Sequence, residues 1–563
     1  MKKTTIALVT ILLFIGCTAN LPKEKVTVHG AIGEKAMVVT AHPLATKIGV
    51  DILKEGGNAV DAAVAVQFAL AVVYPYAGNI GGGGFMVYRD NKGLVDALDF
   101  REMAPEKASR DMYLDSTGNV IESLSVHGHL ACGVPGSVDG MVEAHKKYGS
   151  LPWEKLVQPA IELAINGFSL TAREAEGLNK IQETLAKTCT LQPDNLTGEW
   201  KEGDSIYHNN LGATLELIRD RGRSGFYQGR TAQLILEEMN RGNGIISLKD
   251  LDNYHSVWRE PIVGTYRGYK IITMPPPSSG GVALIQLLHS VEQHNVSEFK
   301  HNSADYIHLL TEAERRVYAD RASYLGDPDF YHVPVDELTD PVYNLQRMES
   351  FNPFKATPSA TIDHGELLLE HNETTHYSIV DELGNAVSVT TTLNGAYGSK
   401  VVVGQAGFFL NNEMDDFSIK PGVPNMFGLI GGKANEIAPG KRMLSSMTPT
   451  IIEKDGVLNV VLGTPGGATI ITSVFQTILN VIDFKMTMQE AVEAKRVHSQ
   501  WFPDEIKYEE GALTKETMEK LEQMGHKLVQ VGNLGKVDAV KVHSDNMLEG
   551  GADPRGDDFA SGY

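Results

Sequence analysis

Helical and strand patterns are mixed along the chain, so the residues predict a protein of both α and β elements, and three stretches carry that expectation. Two consecutive helical patterns near the N-terminus feed a glycine run and a strand. The middle of the chain mixes helical patterns with rigid turns. An alternating β-hairpin follows between residues 375 and 392. At about 150 residues per domain, 563 residues fit three or four domains or one large layered fold with insertions. The 42% apolar content is enough for a substantial core.

The first helical pattern opens at His42-Pro43 and closes at Gly56, with proline in the first turn and glycine past the last. The second, Ala59–Val73, is capped by Asn58 and stopped by Pro75. Its alanines suit a buried helix packed closely on a neighbour. Gly78-Asn79-Ile80-Gly81-Gly82-Gly83-Gly84 then leads into a strand at Met86–Arg89. A phosphate-binding loop is rejected here. Such a loop follows a strand, opens a helix and carries Gly-Lys-Ser/Thr, whereas this run lies between a helix and a strand. The glycines are expected to let the backbone turn sharply and pass close to another element. Further helical patterns cover Leu151–Asn166, Leu211–Ile218 and Val282–Ser290, the last after the rigid turn from Met274 to Gly281. Ser303 caps a long helix running to Leu325, with Ile307, Leu310, Ala313, Val317 and Tyr324 on one face. Residues 350–372 contain two prolines and no sustained period, and read as a flexible loop.

The N-terminus reads as an export signal. Lys2 and Lys3 precede an apolar run from Ile6 to Ile15, then Gly16 and Cys17. That run is shorter than the roughly 20 residues needed to span a bilayer. Phe14-Ile15-Gly16-Cys17 resembles a bacterial lipobox, so cleavage before Cys17 would expose a lipid-modified cysteine, and residues 18–27 would form a tether. The expected location is periplasmic or membrane-anchored. Acidic residues outnumber basic ones 71 to 50, a net charge of −21. That balance argues against nucleic-acid binding or attraction to anionic membranes. Export permits a disulfide between Cys132 and Cys189; spacing leaves it as open as two free thiols. No Cys-x-x-Cys pair occurs, and His127-Gly128-His129 lacks further ligands at diagnostic spacing, so no metal or cofactor is expected.

Thr375–Val380 and Ala386–Thr392 flank Asp381-Glu382-Leu383-Gly384-Asn385 and predict the hairpin. If Val380 pairs with Ala386, Thr374 falls opposite Thr392. A threonine hydroxyl is a weak nucleophile and needs a base. Cutting the bond before Thr374 would free its own α-amino group, with a reference pKa of about 7.7–8.0, to serve as that base.

Glu373-Thr374-Thr375-His376-Tyr377-Ser378 resembles the cleavage and nucleophile motif of the γ-glutamyltransferases, members of the N-terminal nucleophile hydrolases. Similar blocks run from Ala36–Pro43 through Leu98–Glu102, Gly133–Gly136, Asn411–Phe417, Leu444–Met447 and Gly463–Gly467 to Gly562-Tyr563. The resemblance implies an α+β fold, an αββα four-layer sandwich formed jointly by two autoproteolytic fragments, 17–373 and 374–563, after removal of 1–16. It implies that Thr374 attacks a γ-glutamyl amide, glutathione being the usual donor and cysteinylglycine the leaving group. Water, an amino acid or a peptide amine then takes the γ-glutamyl group.

The same resemblance assigns Arg101, Ser445 and Ser446 to the donor's α-carboxylate. It assigns Asn394, Glu413 and Asp416 to the α-ammonium, Thr392 to orienting Thr374, and Gly466 and Gly467 to an oxyanion hole. Alone, Arg101 reads as a surface ion pair with Glu102 or Asp99, Ser445-Ser446 and Gly466-Gly467 as ordinary turns, and Glu413–Asp416 as a solvated acidic turn. His376 is expected to pack. Position 413 is Glu where some bacterial members have Gln. Pro421–Gly432 matches a lid over the pocket, with Phe427 where well-known lids carry Tyr. A related β-lactam side-chain acylase and a non-catalytic periplasmic binding protein are the alternatives. The intact threonine and glycine set argues against the binding protein, and the Glu413/Asp416 pair against the acylase.

Overall fold

A computed structural model describes residues 30–121, 123–191, 193, 196–362, 374–420, 422–426 and 428–563. The signal and lipobox, Cys17, Glu373 and Phe427 lie outside the described residues.

Two seven-stranded sheets form the centre, and neighbouring strands in both run antiparallel. One is ordered Phe559–Gly562, Met37–Thr40, Thr375–Val380, Ala386–Thr392, Gly83–Arg89, Val95–Phe100, Val257–Arg259. The other is ordered Ala31–Gly33, Leu548–Gly551, Asp538–Val542, Val457–Gly463, Thr450–Lys454, Tyr269–Thr273, Ile262–Tyr266. Side-chain alternation decides what each face meets. Met37 and Val39 join Phe85, Val87, Ile272, Ile451, Val461 and Val540 in an apolar layer between the sheets. Val38 and Met86 point the other way, into a core shared with the helices Pro43–Lys54 and Ala59–Val73. Helices Gly280–Glu292, Ala304–Tyr324 and Thr469–Ile482 cover the outer face of the second sheet. This is the expected αββα sandwich.

The N-terminal helical pair forms as the sequence predicts. His42 caps the first helix by accepting from the Leu44 amide, and Asn58 with Asp61 forms a capping box on the second. Every residue of Ala59–Val73 is buried, because alanines let it lie against both the first helix and the sheet. The glycine run differs in detail. Gly83 and Gly84 already belong to the strand, pairing with Thr392 and Thr391, and none of Gly81–Gly84 has a positive φ. Close approach, not a left-handed turn, requires them. A Cβ on Gly82 would lie 1.9 Å from the Thr392 carbonyl oxygen. Gly82→Ala is therefore expected to cost about 1–3 kcal/mol or more, read by urea denaturation, and to displace Thr392.

The long helix is buried almost all round, including Glu312, Glu314, Arg315, Arg316 and Arg321, while Tyr324 at its end is exposed. The predicted single apolar face is therefore too narrow. Residues 351–362 are more ordered than expected: Ser359 is buried, and its hydroxyl and amide bind Arg315 and Asp504. Cys132 and Cys189 are free thiols, close to Ser399 Oγ (3.3 Å) and the Lys400 carbonyl (3.2 Å). His129 pairs with Glu238 at 2.8 Å, and among the described residues no His, Cys, Asp or Glu group is arranged to hold a metal. Among them too, no helix is long and apolar enough to cross a membrane.

Candidate active site

The hairpin forms in the predicted register, Val380 opposite Ala386 and Thr375 opposite Thr391, so the next step sets Thr374 opposite Thr392. Both lie in the period-two series of His376, Ser378, Ser388 and Thr390, which face the second sheet. These polar residues replace the apolar inter-sheet layer and stitch the sheets together. Ser378 Oγ donates to the Asp538 carbonyl at 3.0 Å, and Ser388 Oγ donates to the Leu462 carbonyl at 3.0 Å. Since the Ser378 proton is spent on that carbonyl, Nε2 of His376 is the donor to Ser378 (3.0 Å). Its Nδ1 then accepts from Thr390 (2.8 Å), a tautomer assigned from the network. Burial pulls His376 down to about 3, so the ring is neutral. A Cβ on Gly463 would lie 2.3 Å from the ring, so this glycine lets the second sheet close over it.

Strand ends then gather the other residues. Thr392 pairs with Gly83, and Gly84 with Phe100, so Arg101 leaves its strand at the same edge as the two threonines. In the second sheet Thr450 pairs with Leu462. Ser445 and Ser446 therefore enter, and Gly466 and Gly467 leave, at that end as well. Gly466 (φ 138°) and Gly467 (φ 53°) occupy backbone conformations that favour glycine, immediately before the helix Thr469–Ile482. Thr392 Oγ1 accepts from the Asn394 amide at 2.7 Å, and Asn394 Nδ2 donates to the Asn412 carbonyl at 2.9 Å, next to Glu413.

Arg101 is buried rather than at the surface. Its two terminal nitrogens pair with Glu413 and Asp416, and Glu102 lies 3.6 Å away. Its Nε and Nη2 also donate to the Met443 and Leu444 carbonyls, each at 3.2 Å, directly before the serine pair. The groups assigned by resemblance to opposite charges of one substrate are thus each other's partners here. Burial pulls Arg101 down, but the three carboxylates outweigh it and hold it above its ordinary value. Burial raises Glu413 well above the carboxylate range against the pull of Arg101, and raises Asp416 for the same reason. Glu102, with both oxygens buried and without a hydrogen-bond partner, is pushed up to about 8 by burial. Asp415 is no solvated turn residue either: it accepts from Ser125 Oγ (2.6 Å) and from the Met426 amide (2.7 Å). Asn425 Nδ2 donates to Asp416 (2.9 Å), so the described part of 422–432 lies against the acidic residues.

Sequence reasoning gave no role to Arg321 or Ser279 and none beyond an ion pair to Glu102. Arg321 Nη2 donates to Ser446 Oγ at 3.1 Å, and its Nε donates to Ser279 Oγ at 2.9 Å. In sequence Arg321 lies outside the apolar face predicted for its helix, and Ser279 in a proline-rich turn.

Two stacked antiparallel sheets between helical layers, with a threonine at the head of a central strand, define an N-terminal nucleophile hydrolase fold. The chain belongs to the gamma-glutamyltranspeptidase family, whose model matches residues 45–563. It is 46% identical to the glutathione hydrolase proenzyme of Escherichia coli K12 over 549 residues, covering 96% of this chain and 94% of that one. Among solved structures it resembles a cephalosporin acylase from Bacillus halodurans (TM-score 0.83, 26% identity, covering 98% of this chain and 99% of the other). It also resembles a Helicobacter pylori gamma-glutamyltranspeptidase (TM-score 0.57, 45% identity, covering 61% of this chain and 97% of the solved chain).

Proposed function

We propose that the protein is a γ-glutamyltransferase and glutathione hydrolase that activates itself by cutting Glu373–Thr374. The observation that carries this reading is the meeting, at one end of the sandwich, of the Thr374–Thr392 edge with the buried Arg101–Glu413–Asp416 cluster. In processing, Thr374 Oγ1 attacks the Glu373 carbonyl, the peptide nitrogen leaves as the α-amine, and water opens the resulting ester. The freed amine then takes the Thr374 hydroxyl proton as Oγ1 attacks the donor's γ-carbonyl. Backbone N–H groups of Gly466 and Gly467 stabilise the oxyanion, each worth about 2.7–4 kcal/mol. The leaving amine takes the proton, and water or an acceptor amine resolves the γ-glutamyl ester. Arg101, Ser445 and Ser446 take the donor's α-carboxylate; Asn394, Glu413 and Asp416 take its α-ammonium. Processing is supported by the word proenzyme in the E. coli relative's name. The 61% share covered by the H. pylori chain is close to that of a fragment ending at residue 373. The fragments stay together as a heterodimer, since strands from both fill both sheets. The N-terminal pattern supports export and a lipid anchor at Cys17.

Incubation with glutathione, with and without glycylglycine, tests the reading. Release of glutamate and cysteinylglycine, and γ-glutamyl-glycylglycine when the acceptor is present, is expected; neither product appearing would overturn it. The likeness to a cephalosporin acylase favours a second reading, removal of glutaryl side chains. Glutaryl groups carry no α-ammonium to meet Glu413 and Asp416, so γ-glutamyl donors are expected to win by kcat/KM. The raised carboxylates add a pH signature. Protonation removes the charges that hold the ammonium, so KM for γ-glutamyl-4-nitroanilide is expected to rise as pH falls, and to begin rising at a higher pH than ordinary carboxylates would give. A glutaryl anilide should lack that acid limb.

A further inference from the structure

We propose that Arg321 is a positioning and specificity-determining residue that sets Ser445 and Ser446 as a two-hydroxyl receptor for the donor's α-carboxylate. The proposal rests on the γ-glutamyl reading above.

Arg321 lies in the last turn of Ala304–Tyr324 and is 4% exposed. Other deeply buried arginines have carboxylate partners: Arg101 with Glu413 and Asp416, Arg315 with Glu312, Arg496 with Asp553, Arg555 with Glu509. Among the described residues Arg321 has none within ion-pairing distance; its bonds go to the hydroxyls of Ser279 and Ser446. Burial pulls it down to about 10, so it remains charged at neutral pH. Asp416 acts on it from beyond ion-pairing distance, but among the described residues its hydrogen bonds go to neutral hydroxyls, and a buried cation so placed is costly unless an anion arrives.

Counting protons shows how the charge is used. A hydroxyl has one proton to give. Ser279 spends its own on the Ser445 carbonyl at 2.6 Å, so it accepts from Arg321 and relays the guanidinium's pull into the backbone of the serine pair. Ser446 Oγ accepts from Arg321, and Ser445 Oγ accepts from the Met447 amide at 3.1 Å. Neither serine proton has an acceptor among the described residues. Both hydroxyls are therefore set as donors, beside the segment where Arg101 binds the Met443 and Leu444 carbonyls. Arg101 itself is matched by Glu413 and Asp416. Arg321 supplies the remaining positive charge that a carboxylate needs, acting through Ser446.

The test uses the whole chain and three 4-nitroanilides. The γ-glutamyl compound carries both α-groups, the 4-aminobutanoyl compound lacks only the α-carboxylate, and the glutaryl compound lacks only the α-ammonium. Arg321→Met is expected to raise KM for the γ-glutamyl and glutaryl donors about ten- to hundred-fold, the range of a hydrogen bond to a charged group. Its KM for the 4-aminobutanoyl donor should stay within about two-fold, with kcat changing less than KM. Arg321→Lys should recover part of the loss, and Ser279→Ala should show the same donor pattern more weakly. Where 4-aminobutanoyl turnover is too slow, its inhibition constant against the γ-glutamyl donor is read instead. Fragment formation on denaturing gels reports folding; if Arg321→Met fails to fold, the lysine and Ser279 variants decide. Equal losses for all three donors would overturn the proposal, leaving Arg321 a structural residue. A wild-type enzyme that does not prefer γ-glutamyl over 4-aminobutanoyl would instead sink the underlying functional reading.

Discussion

Thr374→Ala is expected to remain one chain, while the wild type yields a fragment of 190 residues beginning Thr374-Thr375-His376, about a third of the 61.3 kDa total. Denaturing electrophoresis with N-terminal sequencing reads this directly. The same variant should lose at least about 10⁴-fold in kcat, as nucleophile removal does elsewhere. In the proposed mechanism one side chain supplies both effects, because Oγ1 attacks its own preceding carbonyl first and the donor later. Folding should survive: Thr374 lies one residue before the hydrogen-bonded strand Thr375–Val380, whose pairing does not use its hydroxyl. A Thr374→Ala chain that still cleaves at this bond would remove the threonine from the mechanism.

Arg101→Met is expected to do more damage to the fold. It leaves Glu102 and Glu413 buried, and Asp416 largely so, around an apolar side chain. Breaking a buried ion pair on one side costs about 3–5 kcal/mol. The pH dependence has a definite sign. Burial already raises all three carboxylates, and removing the cation raises them further. The native variant then binds more protons than its unfolded chain, so its stability falls as pH rises. Urea denaturation at about pH 5 and about pH 8 should show the larger deficit at the higher pH. A pH-independent deficit would mean that the carboxylates are not what Arg101 neutralises.

Much of this was legible before the fold. Asn58 and Pro75 bound the buried helix where capping chemistry says they should. The hairpin register followed from two β-rich runs and a five-residue loop, and with it the Thr374–Thr392 edge. Local rules suffice for such elements because caps, turns and alternation act between residues near in sequence. The glycine run was read only by half: its need for close approach was visible, but not that Gly83 and Gly84 would be strand residues under Thr392 and Thr391. Residues 351–362 read as slack because their order comes from Arg315 and Asp504, far away in the chain.

The sequence by itself pointed to a candidate nucleophile, its strand and the charged residues that family resemblance drew together. Tertiary structure alone decided how those charges balance. It buried Arg101 against Glu413 and Asp416, brought in Glu102 as a third carboxylate, and set Arg321 behind Ser446 with no carboxylate in ion-pairing distance among the described residues. Burial and long-range pairing set these energies, and neither is written in local spacing. A charged helix face looks the same in sequence whether water or a second layer covers it.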